Sequence, residues 1–121
     1  MLSANSVFQR HALKPFQGNY QEFKNLIKNA RDLVVINFTA DWSLPCQTLA
    51  HDLKEVSNSF PKMTFIKSDV EECEEIGNHF NIEVVPQVKV FRRTATELHE
   101  IKTYIGHDSI KVKELLQTIT E

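Results

Sequence analysis

In Trp42-Ser43-Leu44-Pro45-Cys46 a hydroxyl and a thiol stand three residues apart, a spacing that puts both on one turn if a helix begins there. A thiol at a helix N-terminus is favoured as a thiolate, because the free N–H groups and the helix dipole stabilise an anion. A serine hydroxyl becomes a nucleophile only beside a positioned base. No histidine is close in sequence, and His51 sits a turn or more along the helix. Ser43 is therefore read as a helix N-cap, its oxygen accepting the Cys46 N–H at the third helical position. Cys46 shares a stripe with Leu49, Leu53 and Val56, which predicts a core-facing thiol that behaves as a small hydrophobe, with a reactive thiol as the alternative. The other cysteine, Cys73, is flanked by Glu71, Glu72, Glu74 and Glu75, whose charges disfavour a thiolate. That acidic run reads as a solvated helix start, or as a docking face. The two cysteines are expected to be reduced thiols, not bonded to each other.

The elements that must position these residues alternate between strand and helix patterns. Ser6 to Leu13 reads as a possible edge strand. Asn19 can cap a helix through about Ala30, with Phe23, Leu26, Ile27 and Ala30 on its apolar face. Leu33 to Phe38 is nearly all apolar and rich in β-branched residues, the pattern of a strand covered on both faces. A helix is expected from about Leu44 to Ser59, stopped by Pro61, then a strand over Met63 to Asp69 and a short acidic helix over about Glu72 to Phe80. Val85-Pro86 leads into a strand from Gln87 to Arg92. A turn over Thr94 to Glu97, a strand over Leu98 to Tyr104, a hinge at Gly106 and a helix over Ser109 to Thr120 complete the chain. The order predicts a mixed sheet of four to five strands flanked by four helices, within one α/β domain spanning 1–121; residues 1–17 form a lead-in.

Taken in register, these features resemble the thioredoxin family. They are Phe38-Thr39-Ala40-Asp41-Trp42 at the end of the central strand, Ser-x-x-Cys at a helix start, Val85-Pro86 about forty residues later, and Gly106 before the last helix. The segment Asp69-Val70-Glu71-Glu72-Cys73 is similar to that of animal cytosolic thioredoxins. The resemblance places Trp42, Pro45, Cys46, Lys67, Pro86 and Gly106 at the family's tryptophan, loop proline, second cysteine, buried lysine, cis-proline and late glycine. Ser43 stands where the family has its nucleophilic cysteine, Leu44 where it has glycine, and Asn37 where a buried aspartate relays protons. His51 replaces the helix-kinking proline, and Gln87 the threonine after the cis-proline. The resemblance implies a groove with Trp42 and Val85 as apolar walls beside Pro86 and Gly106, in which the Val85 backbone pairs with an extended peptide.

The family's dithiol chemistry needs a thiolate that attacks a disulfide and a second thiol that resolves the mixed disulfide. Only the resolving position, Cys46, is a thiol here. Asn37 cannot exchange a proton as a carboxylate does, but its amide can satisfy a buried hydrogen-bond site. These residues predict a thioredoxin-like protein without disulfide-reductase turnover that binds polypeptide partners or persists as a degenerate redox protein. Two alternatives remain open: a thioredoxin-type protein-disulfide reductase in cell redox homeostasis whose first cysteine was replaced by serine, and a monothiol redox protein using Cys46. Changes at Asn37, Leu44 and His51 as well favour natural divergence over a single replacement.

Bulk properties exclude other classes. The 121 residues are 41% hydrophobic and 25% charged, with a net charge of -2, which gives no electrostatic case for nucleic acid or an anionic membrane. No apolar run approaches the ~20 residues of a membrane helix. Two cysteines do not make a disulfide scaffold, so the expected compartment is reducing, the cytoplasm. Residues 1–21 carry Arg10, His11 and Lys14 and no acid, which echoes a mitochondrial transit segment, the second choice. The five histidines and two cysteines are scattered, Cys73 and His79 giving two ligands at best, and no Gly-rich phosphate loop is present. No metal or cofactor is expected. Lys67 and Lys89, on strands, read as solvated or hydrogen-bonded structural residues.

Overall fold

The computed structural model describes residues 14–120. They form β1 (Lys14–Phe16), α1 (Tyr20–Lys28), β2 (Leu33–Thr39), α2 (Leu44–Asn58), β3 (Met63–Asp69), α3 (Glu74–His79), β4 (Gln87–Arg93), β5 (Leu98–Ile105) and α4 (Ser109–Thr120). The sheet runs β1-β3-β2-β4-β5. β1, β3 and β2 are parallel, whereas β4 is antiparallel to β2 and β5 to β4. None of the described helices is long and apolar enough to cross a membrane.

β2 lies at the centre because almost every residue in it can be buried on one face or the other. Val34, Ile36 and Phe38 join the cluster that holds Phe23 and Ile27 of α1 and Ile76 of α3. Val35 faces the other way, with Leu49 and Leu53 of α2 and Val112 and Leu116 of α4. This alternation is the two-residue strand period, and it assigns α2 and α4 to one side of the sheet and α1 and α3 to the other. Each fully buried aliphatic or aromatic side chain contributes about 1.5–3 kcal/mol of transfer free energy.

The described edge strand is Lys14–Phe16, next to the expected one. Residues 6–13 lie outside the described residues, and the strand seen pairs with Ile66 to Ser68. Pro15 lacks an N–H for a ladder bond, a loss that an edge strand tolerates best. α1 begins as expected: Asn19 accepts the Glu22 N–H at 2.9 Å while Glu22 accepts the Asn19 N–H at 3.0 Å, a capping box. The acidic helix starts two residues later than expected, with Cys73 as its N-cap. Asp69 takes up the preceding amides instead, accepting N–H bonds from Glu71 at 2.8 Å and Glu72 at 3.2 Å.

Candidate functional site

The loop after β2 is pinned from several directions. Asp41 N–H donates to Asp69 Oδ2 at 3.1 Å, and Gln47 Nε2 donates to the Asp41 carbonyl at 2.6 Å. Trp42 Nε1 donates to Glu71 Oε2 at 2.9 Å. Ser43 N–H donates to the Ala40 carbonyl at 3.1 Å. Ser43 then caps α2 from an extended conformation, its Oγ accepting the Cys46 N–H over a long 3.4 Å. Among the described residues no histidine or carboxylate is hydrogen-bonded to this hydroxyl, so none of them prepares it as a nucleophile.

Cys46 is fully buried. A thiol so placed meets the helix-terminal field but not solvent, and reactivity needs both. Cys73 is also buried and free; its S–H donates to the Phe16 carbonyl at 3.1 Å. That bond ties α3 to the sheet edge and gives the second cysteine a structural place.

Beneath the loop lies Asn37. It is two residues beyond Val35, so it projects from the same face of the sheet, the one that α2 and α4 cover. The expectation that its amide satisfies a buried hydrogen-bond site is corrected here. The side chain is fully buried, and neither Oδ1 nor Nδ2 has a hydrogen-bond partner among the described residues. The neighbouring residue on β3 is Lys67, but its ammonium turns to Asp41 Oδ1 at 3.6 Å and its side chain is 33% exposed. The resemblance implied a buried lysine at this position; it is half-buried because its charge reaches the loop rather than the interior. Lys89, in contrast, is buried, and its ammonium is satisfied by Thr103 Oγ1 at 3.1 Å and Glu100 Oε1 at 3.0 Å.

The acidic run is also more than a solvated helix start. Glu71 holds the Trp42 indole, Glu72 accepts from Gln17 Nε2 at 3.2 Å, and Glu75 accepts the Tyr20 N–H. Carboxylates of Asp41, Asp69 and Glu72 come within 4.8 Å of one another. Their charge is already met by the Lys67 ammonium and by three backbone N–H groups on Asp69. The loop-holding roles of Asp69 and Glu71 escaped sequence reading because a partner 28 or 29 residues away leaves no local pattern.

A second segment reaches the same end of the sheet. Phe38 pairs with Gln87, so the chain preceding β4 lies beside the chain leaving β2. The Val85-Pro86 peptide is cis, and Pro86 is buried. The Pro86 carbonyl accepts the Gly106 N–H at 3.2 Å. Gly106 has φ +151, and a Cβ there would come 2.5 Å from the Tyr104 hydroxyl oxygen, so only glycine fits this approach. Gln87, standing where the family has threonine, donates from Nε2 to the Val84 carbonyl at 3.1 Å and holds the bend.

The groove walls need one correction. Val85 is half-buried and packs on the Phe38 side of the sheet, while Val84 before it is 51% exposed. Val84, not Val85, is the open wall, because the backbone around the bend turns the Val85 side chain to the core. Facing solvent at this end are also Trp42, 69% exposed, and Leu44, 73% exposed, with Ile105 beside Gly106. The Val85 backbone makes no hydrogen bond to any described residue. Its N–H and C=O are the groups that an added extended strand would use.

The family profile "Thioredoxin" matches residues 14–121. Thioredoxin 1 of Plasmodium falciparum is 32% identical over 96 residues, spanning 79% of this chain and 88% of that protein. The solved structure of Trichomonas vaginalis thioredoxin superposes with a TM-score of 0.81 at 25% identity, covering 88% of this chain and 96% of that one. Plasmodium falciparum thioredoxin gives a TM-score of 0.76 at 30% identity, over 88% and 98%. With the sheet order, the loop at the head of α2 and the bend at Pro86 in place, the chain belongs to the thioredoxin family.

Proposed function

We propose that this thioredoxin-family chain carries out no dithiol–disulfide turnover and uses its groove to bind an extended polypeptide. The observation that carries the reading is Ser43. It occupies the N-cap next to a fully buried Cys46, so the loop has one shielded thiol where the reaction needs an exposed thiolate and a resolving partner. Asn37 supports it, since an amide beneath α2 has no proton to give or take. The monothiol alternative loses ground through the same burial of Cys46.

Binding needs less than catalysis. Trp42, Leu44 and Val84 offer exposed apolar surface around an unpaired stretch of backbone at Val85. Main-chain hydrogen bonds to Val85 supply affinity, and the apolar side chains select residues flanking the paired segment. A reducing compartment, the cytoplasm, fits two free thiols.

The test combines two measurements. Reduction of a protein disulfide with dithiothreitol as donor should show no rate above the uncatalysed reaction. Extended peptides selected from a display library should shift amide resonances at Trp42, Leu44, Val84 and Val85, and Trp42→Ala should weaken that binding without altering the far-UV circular dichroism. Sustained turnover by Ser43-containing protein, with reductase contamination excluded, overturns the first half. Selected peptides that bind elsewhere overturn the second.

A further inference from the structure

On the α1–α3 side of the sheet, away from Cys46, a cleft of about 410 Å³ opens between α1, the end of α3 and the turn joining β4 to β5. Its floor is aromatic. Phe23 and Phe80 meet edge to face with centroids 5.9 Å apart, and the Tyr20 and His79 rings lie 4.1 Å apart beside them. Its rim is cationic. Lys24 and Lys28 stand four residues apart on one face of α1, and Arg93 comes from the end of β4.

This positive charge is poorly neutralised from within. Neither lysine has an ion-pair partner among the described residues, and Lys24 Nζ lies over the Tyr20 ring at 5.8 Å from its centroid. Arg93 is 3.9 Å from Asp32 and otherwise bonds the Arg31 carbonyl. Among the described residues the single carboxylate lining the cleft, Glu97, is 3.2 Å from His99 Nε2. Two like charges four apart on a helix cost stability unless an opposite charge meets them. The volume is that of a small-molecule site, too small for a folded partner.

We propose that this cleft binds a planar aromatic anion, its ring against Tyr20 and His79 and its charged group between Lys24, Lys28 and Arg93. Aromatic faces and cations together select such a molecule over a plain anion or a neutral ring, because the ring buries apolar area while the charge meets three cations. Residues 1–13 of this chain are a poor occupant on charge: they carry Arg10 and His11 and no acid.

The experiment is an amide chemical-shift titration of the full chain at low ionic strength with adenosine monophosphate and with phenyl phosphate. Adenosine and inorganic phosphate serve as controls. Either aromatic phosphate should give saturable shifts confined to residues 20–28, 79–80 and 93–98, with a Kd below about 1 mM. Affinity should fall as salt is added. The Lys24→Ala, Lys28→Ala double substitution, on an exposed helix face, should weaken binding at least about fivefold with unchanged circular dichroism. Equal binding of inorganic phosphate, equal binding of adenosine, or shifts that track protein concentration would each overturn the proposal, the last by making a second copy the occupant. So would the absence of saturable shifts in these three segments.

Discussion

Asn37 offers the sharpest test of the proposal that this chain does not carry out its family's dithiol chemistry. The paired substitutions Ser43→Cys and Asn37→Asp restore the missing nucleophile and the missing proton carrier separately. Asn37 is fully buried with no hydrogen-bond partner for its side chain among the described residues, and the adjacent Lys67 ammonium is engaged by Asp41. A carboxyl placed there is desolvated with no cation to offset it, so its pKa rises, by about 3 units within the 3–5 seen for fully buried groups. The sign follows from linkage. A folded pKa above the unfolded ~3.9 leaves stability untouched below about pH 4. The penalty then grows as pH rises, reaching about 4 kcal/mol near pH 7, within the 5–15 kcal/mol of a typical domain. Urea unfolding of Asn37→Asp at several pH values reads this directly. The same raised pKa suits proton exchange with a buried thiol near neutrality, where general acid–base help is worth about 10²–10⁴-fold. Ser43→Cys alone should therefore oxidise to a Cys-x-x-Cys disulfide yet reduce protein disulfides slowly. Adding Asn37→Asp should raise that rate by about 10²-fold, a coupling of about 2.7 kcal/mol in the double-mutant cycle. Full family-like rates from Ser43→Cys alone would refute the reasoning and revive a simple replacement of one cysteine. A pH-independent stability of Asn37→Asp would refute it from the other side, by showing that position 37 is not desolvated.

Two further outcomes rest on burial and pairing elsewhere. Because Cys46 and Cys73 are both buried and free, a soluble thiol reagent should label neither in the native protein at an appreciable rate and both after denaturation; rapid native labelling, or a mass lowered by one disulfide, would contradict this. The Glu100 carboxyl is held below its ordinary pKa by the Thr103 hydroxyl bond at 2.6 Å and then by Lys89, against some desolvation. A lowered folded pKa stabilises the protein above the unfolded value of ~4.3, a gain lost as pH falls through the folded pKa. Glu100→Gln should thus cost less than about 1 kcal/mol at neutral pH, given the half-exposed carboxylate, and progressively less as pH falls through the folded pKa. A cost that does not diminish as pH falls would assign the effect to packing.

Much of the fold was legible because its signals are local. Leu33 to Phe38 announces a doubly covered strand by composition, Met63 to Asp69 and Ser109 to Thr120 match their elements, and Asn19 and Ser43 mark helix starts by their capping chemistry. Cys46 could be placed in the core from its stripe with Leu49 and Leu53, since a 3.6-residue period needs only neighbours along the chain. The tertiary structure alone decided which groups meet. Nothing near Trp42 announces Glu71 as its partner, nothing near Lys67 directs its ammonium to Asp41, and no pattern turns Val85 inward while Val84 stays exposed. Asn37 shows the limit most plainly: its burial followed from the strand period, but the lack of a partner for its amide among the described residues did not. Periodicity fixes which side of an element a residue faces. Whether a polar atom there finds a partner depends on side chains brought in from elements tens of residues away, and that is settled only when the sheet and its two helical layers close around it.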